Sequence, residues 1–250
     1  MVTPPARARG ARRRHAAYHA ARVARARAES CSRHRTMDLH GIDRLYVTGT
    51  DTGAGKTLAS CALLHALRAR GLRAVGMKPV ASGCERTADG WRNADALALQ
   101  AASEPRPDYA DLNPVALPEP LAPELAARAA GTEVTLAPLQ AAFARLRAQA
   151  GLVVVEGVGG WAAPLSATLD QRDLVRALDL PVVLVVGMRL GCLNHARLSA
   201  AAIVADGARL VGWIATEVDP QMACREENLA LLAARLPAPC LGHLPYAPAP

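Results

Sequence analysis

At 250 residues, 51% of them apolar but with a single phenylalanine (Phe143), the chain is long enough for one domain around an aliphatic core, and its apolar runs are too short to span a bilayer. The formal charge of +7 suggests nucleic acid only until it is located: residues 1–36 hold ten arginines against one acid, Glu29, a net of +9 that leaves −2 for the other 214 residues. Six cysteines with no C-x-x-C pair and no metal-ligand spacing argue against a disulfide framework or a zinc site, and read as reduced thiols of a cytoplasmic protein.

Residues 1–36 are rich in Arg, Ala and His and show almost no aliphatic periodicity, so they cannot bury enough surface to fold alone. They are expected to be a basic extension, either disordered or lying ahead of a true start at Met37. A transit peptide or a nucleic-acid arm is the functional alternative. The domain is then 37–250. Leu45–Thr50 reads as a first strand running into a glycine loop, and 56–70 as a helix closed by Gly71. A second strand covers Arg73–Val80, and Asn93 caps a helix through Gln100. Six prolines between Ser103 and Pro123 break regular structure and mark an excursion from the main sheet. Thr135 then caps a helix with Leu139, Phe143 and Leu146 on one face. Leu152–Val155, Val182–Val186 and Leu210–Ala215 are continuous apolar runs, as in parallel strands covered on both faces. Helices over 193–206 and 222–236 and a last strand at Cys240–Leu244 complete the alternation, with Cys61 and Cys240 expected in the core. The fold class is α/β: a doubly wound, mostly parallel sheet flanked by helices, with ligands beyond the carboxyl ends of the strands.

Lysine occurs twice, at Lys56 and Lys78, against 27 arginines. Lys56 lies in Gly49-Thr-Asp-Thr-Gly-Ala-Gly-Lys-Thr57, where strand, glycine-rich turn, Lys-Thr and helix form a P-loop. Gly53, Ala54 and Gly55 let backbone N–H groups converge on phosphates, Lys56 bridges the β- and γ-phosphates, and the Thr57 hydroxyl serves Mg²⁺. Gly49 stands one residue earlier than the usual spacing, with Thr50 in the usual glycine's place. Glu156 ends an apolar strand before Gly157-Val158-Gly159-Gly160, as a second metal ligand would; a solvated strand-end acid is the plain alternative. Asp95 opens a helix and by spacing alone serves either metal or the helix dipole. Lys78, at the end of the second strand, is either a second ammonium for a transferring phosphoryl group or a solvated lysine.

Thr48–Thr57, Lys78-Pro-Val-Ala-Ser-Gly83, Asn93-Ala-Asp-Ala-Leu97, Val155-Glu-Gly-Val-Gly-Gly-Trp161 and Leu190-Gly-Cys-Leu-Asn-His195, taken in order, resemble the dethiobiotin synthetase family of P-loop enzymes, from about Leu45 to Tyr246. The resemblance implies a Mg²⁺- and ATP-dependent ligase of biotin synthesis that closes the ureido ring of dethiobiotin from 7,8-diaminopelargonate and CO₂, through a carbamate and its phosphoric anhydride. It implies Thr57, Asp95 and Glu156 as metal ligands, Lys56 and Lys78 as the catalytic ammoniums, and Thr52 and Ser82 as substrate contacts. It further implies that Cys192, Leu193 and Asn194 hold the substrate carboxylate across a homodimer interface, and that Gly157, Val158, Gly159, Thr216, Glu217, Pro245, Tyr246 and Ala247 border the nucleotide. No nucleic-acid or membrane partner is expected.

Two departures bear on selectivity. Thr216-Glu217 stands where the family has Asn-Asp, and a hydroxyl lacks the amide's paired donor and acceptor, so weaker preference for ATP over other nucleoside triphosphates is expected. The sequence given also ends at Pro250, soon after the base-side segment, where relatives continue into a further helix. The rival readings are a switch ATPase, which would carry an additional early lysine in the loop, an amide synthase, for which no glutaminase domain has room, and a pure binding module.

Overall fold

The computed structural model describes residues 42–246; the basic extension, Met37 and Ala247 lie outside the described residues. In chain order the elements are β1 (Arg44–Gly49), α1 (Lys56–Ala69), β2 (Ala74–Met77), β3 (Val80–Ala81), β4 (Glu85–Thr87), β5 (Gly90–Arg92), α2 (Ala94–Ala102), α3 (Tyr109–Leu112), β6 (Val115–Ala116), α4 (Pro123–Ala129), α5 (Leu136–Gln149), β7 (Leu152–Gly160), α6 (Gln171–Ala177), β8 (Val182–Met188), α7 (Cys192–Ala205), β9 (Leu210–Glu217), α8 (Arg225–Arg235) and β10 (Cys240–Leu244). Six strands form one parallel sheet in the order β10-β9-β8-β1-β7-β2.

Side chains alternate across the pleat, and the continuous apolar runs feed two cores. Val182, Leu184, Val186 and Met188 of β8 join Tyr46, Val153 and Val155 under Leu139, Phe143 and Leu146 of α5 and Ala196, Ala200 and Ile203 of α7. Val183 and Val185 face the other way, with Leu45, Val47 and Val154, against Leu64 and Leu67 of α1 and Leu99 of α2. The chain therefore winds helices onto both faces, as the strand pattern implies. No helix among the described residues is long and apolar enough to cross a membrane.

The structure departs from the sequence reading at several elements. The strand expected over Arg73–Val80 splits at Lys78-Pro79: β2 ends at Met77, and β3 leaves to pair with β6 in a separate sheet. Proline supplies no N–H to a ladder, and the Lys78 backbone is taken by α3 instead, its N–H donating to the Leu112 carbonyl at 2.7 Å and its carbonyl accepting from Asn113 Nδ2 at 2.7 Å. The proline-rich excursion thus contains α3 and β6, and ends at the start of α4. β7 runs on to Gly160, so Glu156 lies within a strand rather than at its end. Asn93 does cap α2, accepting from the Ala96 N–H at 3.2 Å, whereas Thr135 sits at the start of α5 without a side-chain capping bond. α8 begins at Arg225, later than Met222. Cys61 and Cys240 are half-buried rather than in the core.

Candidate active site

β1 lies between β7 and β8. The chain leaves its carboxyl end toward β2 on one side and later reaches β8 on the other, which opens a crevice where the winding reverses. The P-loop fills that crevice. Gly55 precedes α1 with φ of 84° and no side chain caps the helix, so its first amides are left for an anion. A Cβ on Gly55 would collide with Thr216 at the end of β9. The Lys56 stem lies against Gly49, and its Nζ donates to the Asp51 carbonyl at 3.0 Å. Lys56 is only 8% exposed. Burial, followed by the neighbouring Lys78 ammonium, lowers its pKa to about 8.

The second lysine is deeper still. Lys78, 3% exposed, donates from Nζ to Glu156 Oε1 at 2.7 Å, to the Gly157 carbonyl at 3.0 Å and to Asp95 Oδ2 at 3.3 Å. Burial alone would pull its pKa down; Glu156 and Asp95 overcome that and hold the ammonium charged. Thr57 Oγ1 donates to the same Glu156 Oε1 at 3.0 Å. Glu156 is 0% exposed, and its other oxygen, Oε2, is buried with no hydrogen-bond partner. A buried carboxylate oxygen left unpaired is costly, and here it sits beside a hydroxyl and within one lysine's reach of a second carboxylate. That set of hard oxygens fits Mg²⁺. Among the described residues no three His, Cys, Asp or Glu side chains cluster as a ready-made cage.

Beyond β9 the walls are different. Thr216 is buried, with Oγ1 unpartnered and its methyl turned to Gly55. Glu217 is engaged by Arg225 Nη1 at 3.2 Å, His243 Nε2 at 2.9 Å and the Tyr246 N–H at 3.2 Å. Its carboxylate ties the ends of β9 and β10 to the start of α8. At the end of β8, Arg189 Nη2 pairs with Asp51 Oδ2 at 2.5 Å, and the Thr52 N–H donates to Asp51 Oδ1 at 2.7 Å. That amide, and then the guanidinium, hold the Asp51 pKa down.

A family described as an AAA domain matches residues 43–249. The ATP-dependent dethiobiotin synthetase BioD of Xanthomonas oryzae pv. oryzae (strain PXO99A) is 73% identical over 203 residues, 81% of this chain and 91% of its own length. The chain belongs to the dethiobiotin synthetase family. The family member BioD of Xylella fastidiosa (strain 9a5c) is 68% identical over 207 residues, 83% of this chain and 92% of its own. Among solved structures, the signal recognition particle receptor FtsY of Elizabethkingia anophelis aligns with a TM-score of 0.43 at 17% identity, over 79% of this chain and 56% of that one, too loose a likeness to say more.

For a dethiobiotin synthetase, the residues expected from the sequence fall into two groups. Lys56, Thr57, Lys78, Asp95 and Glu156 come together in one cluster beside the P-loop. Exposed Thr52 faces Gly159 across its mouth, and Ser82 is tied to that wall through its carbonyl, which accepts from Asn93 Nδ2 at 3.2 Å. The Cys192-Leu193-Asn194 turn is separate. It starts α7 at the end of β8, on the opposite side of β1 from Lys78. Cys192 is buried there and burial raises its thiol pKa, while Asn194 is exposed. Sequence reasoning missed the Gly157 carbonyl as a partner of Lys78, and Arg225 and His243 as partners of Glu217. Backbone carbonyls carry no sequence signal, and the other two meet Glu217 only through the fold.

Proposed function

We propose that this chain is a Mg²⁺-dependent cyclo-ligase that uses ATP to close the ureido ring of dethiobiotin. The observation that carries this reading is the Lys78 ammonium buried between Glu156 and Asp95 at the mouth of a P-loop. In the reaction, one amine of 7,8-diaminopelargonate adds to CO₂ and loses a proton, giving a carbamate. A carbamate oxygen takes the γ-phosphoryl group of ATP and ADP leaves. The second amine then attacks the carbonyl carbon, expels phosphate and completes the ring. The nucleophiles belong to the substrate, so the protein's task is to hold anions together.

Lys56 and the first amides of α1 grip the triphosphate. Lys78 faces the carbamate and the transferring phosphoryl group, and its two carboxylate partners, Glu156 and Asp95, keep it protonated for that purpose. Thr57, Asp95 and Glu156 would hold Mg²⁺, which when bound supplies charge neutralisation on the phosphate oxygens. Thr52 and Ser82 contact the diamine. The Cys192–Asn194 turn, at an uncapped helix start, suits a carboxylate. Its separation from Lys78 within one chain supports a homodimer in which it serves the neighbouring copy. Gly157, Val158 and Gly159 border the phosphates; Thr216, Glu217, Pro245, Tyr246 and Ala247 border the base. A cytoplasmic location and a domain spanning 37–250 complete the reading.

The test is dethiobiotin production, read by mass, from purified protein given the diamine, bicarbonate, ATP and Mg²⁺. ATP- and Mg²⁺-dependent product is expected; ATP hydrolysis at the same rate with no diamine present would instead favour a switch ATPase.

A further inference from the structure

We propose that Gln171 is a positioning residue for this reaction, holding the strand end that carries Glu156 and the Gly157 carbonyl against Lys78. The need for it arises in β7. Pairing with β2 ends at Val155, and pairing with β1 breaks between Val47↔Glu156 and Gly49↔Gly160. The stretch 157–159 therefore lies in a gap of both ladders, and buried backbone groups without partners are expensive. Yet this stretch begins with the carbonyl that accepts from Lys78 Nζ at 3.0 Å.

Gln171 fills the gap. It is the first residue of α6 and 1% exposed. The Asp173 carboxylate accepts from the Asp170 N–H at 2.8 Å at the start of this helix, and the Gln171 side-chain amide turns back onto β7. Nε2 donates to the Val158 carbonyl at 2.9 Å and the Gly160 carbonyl at 2.5 Å, and lies 3.3 Å from the Ala163 carbonyl. Oε1 accepts from the Val158 N–H at 3.1 Å and from the Tyr46 hydroxyl at 2.5 Å. One side-chain amide thus offers the donor and acceptor that a neighbouring strand would have offered. Tyr46 rises from β1 beneath the same spot, its ring edge-on to Trp161 at 6.3 Å. A Cβ on Gly157 would collide with both Gln171 Oε1 and the Tyr46 hydroxyl, so this clamp is what requires glycine at that position. Without the amide, Val158, Gly160 and Ala163 would seek other partners, and the Gly157 carbonyl would move with them. Lys78 would then relax toward the remaining carboxylates and away from the phosphoryl group it must meet.

The inference rests on the ligase reading, and one set of assays separates the two. Gln171→Met keeps the volume and removes every hydrogen bond; Gln171→Glu keeps the shape and the acceptor but cannot donate to the carbonyls. For both, kcat for dethiobiotin formation is expected to fall at least fivefold, with KM for ATP within twofold because the P-loop is untouched. Tyr46→Phe should hold kcat within threefold, since Val158 still donates to Oε1. If Gln171→Met fails to fold by circular dichroism, Gln171→Glu carries the same expectation. A fall of less than fivefold, or a fall matched by an equal rise in KM for ATP as general loosening would give, overturns the proposal. A wild-type protein that makes no dethiobiotin would overturn the reaction and this inference together.

Discussion

The two ends of the proposed nucleotide cleft, the phosphate end at Lys78 and the base end at Glu217, are built from charged residues in opposite ways. At the phosphate end, Lys78 and Glu156 are buried beside the P-loop, where the Lys78 ammonium is fully engaged and one Glu156 oxygen is left without a partner. At the base end, Glu217 is sheltered but its partners Arg225 and His243 keep about a third of their side chains in solvent. A buried charge is held only while its partners stay in place, whereas half-exposed pairs are screened and loosely coupled to one another. The phosphate end is thus made to tolerate no substitution, and the base end to tolerate many.

The sharpest way to break the contrast is Lys78→Ala. It should lower dethiobiotin formation by roughly a thousandfold or more through loss of charge stabilisation. It should also cost about 3–5 kcal/mol in a urea titration, because Glu156 is left buried without its counter-charge. Lys56→Ala should match it in activity. Glu156→Gln keeps the shape and removes the charge; turnover about a hundredfold lower is expected, with the Mg²⁺ needed for half-maximal rate rising severalfold. At the other end, Glu217→Ala should raise KM for ATP only about fivefold, near 1 kcal/mol, with kcat held within twofold. In the wild type, ATP should be favoured over CTP by less than about a hundredfold, as Thr216 lacks the amide's paired groups. Arg189→Ala, which removes an exposed pair with Asp51, should shift stability by roughly 0.2–1 kcal/mol.

Elements that announce themselves by composition were legible in the sequence. The valine-rich strands could only be buried on both faces, and the P-loop had its strand, glycines and helix in order. Glu156 and Lys78 stood out because each follows an apolar run. What escaped depended on contacts distant in the chain. α6 is a seven-residue helix of mixed polarity, too short to show a period. Gln171 gains its meaning only when β7 loses both neighbours. The β4–β5 hairpin pairs an exposed strand with a half-buried one and buries no apolar stripe to reveal it. Glu217 reads as one more acid until β10 and α8 bring His243 and Arg225 to it.

The chain's only two lysines lie in the cluster beside the P-loop, and the rest of its positive charge is arginine. An amine-directed reagent therefore finds no lysine side chain on the outer surface to consume it. Acylation of Lys56 or Lys78, followed by peptide mass, becomes a direct gauge of whether nucleotide and diamine occupy the cleft.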